Sequence, residues 1–150
     1  MSGDTAMRGL GASLPVPEFG LPTLVTPPPL AEATVAICTS AALHPPDVDA
    51  FTAADTSFRL IDRAQRQLVL GHWSPNFDRT GVAIDLNVVY PIDRLHELAE
   101  AGAIGSVAPR HVAFAGNQPD DVATIRHDTG PAAAAALAGD GVDVVVLTPV

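Results

Sequence analysis

The sequence predicts an α/β fold, and three observations carry that expectation. Short valine- and isoleucine-rich runs suit strands buried on both faces, as in a parallel sheet under helices. Between them lie stretches with helical periodicity and helix start and stop signals. The chain has 150 residues, of which 47% are hydrophobic, enough for one domain with a real core. Strands alternating with helices stack in layers, here as a Rossmann-like, mainly parallel sheet with flanking helices.

Taken in order, residues 1–30 hold six of the fourteen prolines, including "TPPPL" at 26–30. Proline removes amide donors and favours extended backbone, so this segment reads as an arm, and the α/β domain as residues 31–150. "ATVAICTS" (33–40) is the first buried strand. "FTAADTSFRLID" (51–62) is a loop leading to a short extended piece, and "RQLVLGHW" (66–73) a strand running into a loop. "YPIDRLHELAEAG" (90–102) is the clearest helix, with Pro91 at its start, Ile92, Leu95 and Leu98 on one face and Gly102 at its end. "HVAFAG" (111–116) is a strand. "DDVATIRHDTGPAAAAALAGDG" (120–141) is helical on both sides of "TGP", where Pro131 restarts the second piece. Val142 to Leu147 is the last strand. A helix normally follows such a strand and packs back on the sheet. The chain therefore reads as an incomplete sheet with thin cover on one face, the N-terminal half of a larger α/β protein.

A net charge of -9 argues against a nucleic-acid backbone or an anionic membrane as partner. All eight basic residues are arginine, which excludes a lysine Schiff base and a Walker-type phosphate lysine. Cys38 is the only cysteine, so no intrachain disulfide or thiolate zinc cluster is available. The N-terminus is unlike a secretory signal, and no run reaches the ~18 apolar residues of a membrane span. A cytoplasmic protein is the expected default.

Ligands collect beyond the carboxyl ends of parallel strands. By position, His72 in "LGHWSPNFD" is a strand-end acid/base or substrate-binding residue, or else a loop histidine bonded to backbone. Asp85 and Asn87 precede an apolar triplet; they either anchor a loop through side-chain-to-backbone bonds or face a substrate ammonium or amide. Asp93 suits the helix dipole. Arg110 is the best carboxylate clamp, because its planar fork binds in two places, and a surface salt bridge is the alternative. Gly116 and Asn117 form a candidate anion-accepting turn. His111 and Cys38 read as structural. The five histidines lack metal-ligand spacing, so no metal is expected, and the chain has no GxGxxG, P-loop or GxSxG.

An ordered series of stretches carries a resemblance over roughly residues 22–150: "VTPPPL", "ATVAICTSAALH", "DTSFRLID", "GHW…FD", "DLNVVYPIDRLHELAEAGAIGSVAPRHVAFAG", "TGP" and "DGVDVVVLTP". It resembles the selenoprotein B family of glycine, sarcosine, betaine and D-proline reductases, most of all the D-proline branch. The resemblance implies a selenocysteine, or a cysteine in relatives, a few residues after the strand similar to "VDVVVLT". It implies that the selenolate attacks the carbon bearing the amino group, that electrons come from thiols, and that a pyruvoyl group on a partner subunit holds the substrate amine. It implies no catalytic residue in this chain. His72, Asp78, Asp85, Asn87 and Gly116 become substrate-lining positions, while Arg110 is added from chemistry alone.

On this likeness the expected function is a component of a selenol- or thiol-dependent reductase that cleaves a C–N bond of a small amino acid or amine. The chain would stop before the nucleophile, where a UGA codon was read as termination; a genuine truncation or a cysteine-containing relative is the alternative. The expected partners are the small substrate and either a reductase subunit or a second copy. Two readings compete: an inactive α/β binding or scaffolding module, and a stand-alone enzyme with His72 and Asp85 as acid and base.

Overall fold

The computed structural model describes residues 25–75, 77–116, 118 and 122–150, together with Gly9 and Ser13. The arm expected over residues 1–30 lies largely outside them. Among the described residues the strands are β1 (Thr34–Thr39), β2 (Leu43–His44), β3 (Phe58–Asp62), β4 (Val69–Leu70), β5 (Ser106–Val107), β6 (Arg110–Phe114) and β7 (Val144–Thr148). The α-helices are α1 (Arg79–Ile84), α2 (Ile92–Glu100) and α3 (Gly130–Gly139).

The expected α/β class is observed. β1 is the centre of the main sheet and runs parallel to β5, β6 and β7. Val35 pairs with both Val107 and Val144, and Cys38 with both Val112 and Leu147. β5 and β6 therefore share one side of β1, with β7 on the other. β3 lies antiparallel beyond β6, so the sheet is mixed with a parallel majority. Pro109, which has no amide hydrogen, sits at the break between β5 and β6. The buried Ile37 N–H donates there to His111 Nδ1 at 3.0 Å.

Alternation along β1 divides the interior. Val35 and Ile37 join Ile61, Val89, Tyr90, Ile92 and Leu95 in the main core. Ala36 and Cys38 face the opposite side, with Val112, Phe114, Ala133 and Leu137.

Several expectations are corrected in detail. The strand expected over 66–73 contracts to Val69–Leu70, paired antiparallel with β2. Its partner is only two residues long and runs into Pro45–Pro46, which cannot extend the ladder. In α2, Ile92 and Leu95 are buried but Leu98 is 43% exposed, so the expected apolar face stops short. Gly102 ends this segment at φ 69°, a left-handed conformation suited to glycine. The helix expected over 120–141 begins outside the described residues and contains a π-helical turn, Ile125–Thr129, before α3. Pro131 has no N–H for an ordinary helical bond, and the wider turn directly precedes it. α1 was not expected; Asp78 starts it by accepting the Thr80 N–H at 2.9 Å.

Candidate active-site junction at the strand ends

The carboxyl ends of β1, β6 and β7 meet the loop after β4, and His72 lies at their junction. Its imidazole is 4% exposed and stacks on Phe77, with ring centroids 4.2 Å apart. His72 Nδ1 accepts the Ser74 N–H at 3.1 Å. In the neutral ring this places the proton on Nε2, which is 3.4 Å from the Val150 carbonyl oxygen. Burial lowers the His72 pKa from its ordinary value; the bond to Val150 opposes that shift and the Arg79 charge adds to it. The buried ring is thus held toward its neutral form with a donor at Nε2. Arg79, the first residue of α1, also donates to the His72 carbonyl oxygen, fixing the loop to the helix.

Ser40 follows β1 and faces the same point. Its hydroxyl accepts the Val150 N–H at 2.9 Å and donates to the Val150 carbonyl at 3.1 Å. Thr148 closes the far side by donating from Oγ1 to the Val89 carbonyl at 2.8 Å. Gly116, just past β6, is required by the close approach of these groups. A Cβ there would stand 2.4 Å from His72 Nε2 and 2.8 Å from the Ser40 carbonyl oxygen. Beside this junction is a small cavity of 210 Å³ lined by Cys38, Thr39, Ser40, Phe114, Leu147, Thr148 and Pro149.

The structure therefore brings His72 and Gly116 together. Asp78 caps α1, and Arg79 links that helix to His72. Asp85 Oδ1 accepts both the backbone N–H and the side-chain amide of Asn87 at 2.9 Å, which lowers its pKa. Asn87 Oδ1 accepts the Asp93 N–H and its amide donates to Asp93 Oδ2, tying the loop to the start of α2. Asp85 and Asn87 thus make the loop-anchoring bonds named as one of their two roles. Arg110 lies at the other end of β6 from Gly116 and forms a bidentate pair with Asp140, with both bonds at 2.8 Å. That pair raises the Arg110 pKa and lowers that of Asp140. Asn117 lies outside the described residues. Cys38 is partly buried in β1, and burial raises its thiol pKa.

Ser40, Phe77, Arg79 and Thr148 were missed in the sequence. The signal that points to ligands beyond the last strand applies equally to the polar Ser40 at the end of the first. Phe77 and Arg79 gain their positions through the folding of the loop around His72, by ring stacking and by a bond to its carbonyl.

No solved structure matches the chain. It is 34% identical over 159 residues to D-proline reductase subunit gamma of Acetoanaerobium sticklandii. That match includes 99% of this chain but 62% of the relative, so the chain spans less than two thirds of the relative's length. A model of the glycine/sarcosine/betaine reductase selenoprotein B family matches residues 12–150. With nearly its whole length matched in this way, the chain belongs to the glycine/sarcosine/betaine reductase selenoprotein B family.

Proposed function

We propose that this chain supplies the strand-end half of an active site in a selenol- or thiol-dependent reductase that cleaves a C–N bond of a small amino acid or amine. The observation that carries the reading is the convergence of His72, Ser40 and Gly116 where parallel strands present their carboxyl ends. Family membership and the name of the relative support a reductase component; the C–N cleavage is part of the proposal. Two electrons from a dithiol and two protons replace the C–N bond by one C–H and one N–H bond, and the dithiol becomes a disulfide.

The nucleophile belongs, in this reading, to the polypeptide that follows the strand corresponding to β7, as selenocysteine or cysteine. It would attack the carbon bearing nitrogen as its selenolate or thiolate. The residues present fit an anionic group at that position: His72 Nε2 and the Ser40 hydroxyl are both donors aimed at the end of β7. His72 can stabilise negative charge there from Nε2 or release its proton toward a departing amine. Gly116 leaves room for the ring to do so. Substrate contacts by Asp78, Asp85 and Asn87 remain part of the proposal, whereas Arg110, held by Asp140 at the opposite end of β6, is left out of it. The pyruvoyl group stays on a partner subunit, and no step on this chain passes through it.

The test joins residues 1–150 to the part of D-proline reductase subunit gamma outside the match and combines the folded product with that reductase's other subunits. Dithiol-dependent turnover of D-proline, glycine, sarcosine or betaine is the expected result. A folded, assembled product inactive on all four would contradict the proposal.

A further inference from the structure

The second face of the sheet carries a groove that no described residue fills. A cavity of 360 Å³ runs between α3 and β7. Cys38, Val112 and Phe114 form its floor, Ala134 and Leu137 line the helix side, and Leu147 lines the strand side. Val144 and Val146 point to the main core, whereas the alternate residues Val145 and Leu147 are 38% and 70% exposed. Single exposed apolar residues are ordinary, but here they continue an apolar groove. The same strand has an open edge. Among the described residues β7 pairs only with β1, so its outer N–H and C=O groups are free to accept another strand. Parallel strands are normally covered on both faces, and the alanines of α3 are too short to close this one.

We propose that the β7 edge and this groove seat a strand-and-helix unit from the family's own subunit. A strand adds to β7, and the apolar side of a helix fills the space over Cys38, Val112 and Leu147. Two observations favour this occupant. The relative contains more than a third of its length outside the match, enough polypeptide for such a unit. The groove lining carries no charged residue, so it suits an apolar protein surface rather than a polyanion. The inference rests on family membership and not on the reductase chemistry, and its test reads no activity.

Cys38 is this chain's only cysteine and lines the groove, so alkylation read at Cys38 itself by peptide mass reports on this face of the sheet. The part of D-proline reductase subunit gamma outside the match, made as a separate polypeptide, is added to the full chain. Cys38 alkylation by iodoacetamide and amide exchange across β7 are then followed. The expected result is a 1:1 complex in which alkylation slows about tenfold or more and the β7 amides gain protection. Val145→Asp and Leu147→Asp, at exposed positions, are expected to abolish both effects in a folded chain. Unchanged alkylation and exchange would overturn the proposal. So would protection that grows with the chain's own concentration before any polypeptide is added, because the occupant would then be a second copy. If the added polypeptide does not fold alone, the same readings are made on a fusion of the two. A folded fusion with Cys38 as reactive as in the chain alone would equally overturn it.

Discussion

One face of the sheet buries Ile37, Ile61, Val89 and Tyr90 at no more than 1% exposure. The other is covered in part by α3, through Ala133 and Leu137, and leaves Leu147 70% exposed. Both faces use the same strands with alternating side chains, so strand propensity cannot account for the contrast. The difference lies in what packs above them. α1, α2, the β2–β4 pair and the Val89–Tyr90 segment before α2 bring leucine, isoleucine, valine and tyrosine side chains to the first face. An alanine-rich helix brings mostly methyl groups to the second. The lesson is that the described fold anchors its strand ends from one side, where the His72 loop and Thr148–Val89 contacts also lie.

Truncation on the two faces should break this contrast most strongly. Ile61→Ala on the filled face is expected to lower unfolding free energy by about 3–5 kcal/mol, since a closed core relaxes little around the void. Leu137→Ala, beside a groove already open, should cost less, about 1–2 kcal/mol. Urea unfolding of the two variants checks this, and equal losses would show that the faces contribute alike.

The second test sharpens the role of His111 on the filled face. Burial, with a smaller contribution from the nearby His96, lowers its pKa from 6.5 to about 4. The neutral ring is needed to accept the Ile37 N–H. Because the unfolded chain takes up the proton first, stability from this residue is full above pH 6.5 and is lost as pH falls through about 4. The expected loss is on the order of 3 kcal/mol. His111→Asn, whose amide oxygen replaces Nδ1 as acceptor, should flatten that dependence in thermal melts recorded from pH 7 to 4. An unchanged slope would place the acid sensitivity elsewhere.

The smallest effect is expected at the periphery. Arg110→Ala breaks a well-formed, half-buried pair with Asp140 at the edge of the molecule and should shift the unfolding midpoint only slightly. A large shift would make the thin face depend on that pair more than its geometry indicates.

Much of the fold was legible in the sequence because it depends on local signals. The valine-rich run before Thr148, the "ATVAICT" run and the Pro91-to-Gly102 helix carry their period, caps and breakers within a dozen residues. The antiparallel placement of β3 and the shortness of β4 were not legible, since each is set by what lies opposite it. The same division holds at the junction. His72 and Gly116 stand at strand ends and could be named from position. Ser40 enters through a contact 110 residues away, Phe77 through ring stacking and Arg79 through a side-chain bond to the His72 carbonyl, none of which a periodic pattern encodes. Asp85 and Asn87 illustrate the converse: short polar residues before a helix have strong local uses, and both make those bonds here.

On the function proposed above, the strand-end junction around His72 carries the chemistry. The most direct test of that role compares kcat for Gly116→Ala and Arg110→Ala in the joined, assembled reductase. The added methyl must displace His72, and a displacement of about 1 Å is expected to cost about 100-fold in kcat with the fold retained. Arg110→Ala, at the far end of β6, is expected to change kcat far less. Full activity in a folded Gly116→Ala enzyme would contradict the account.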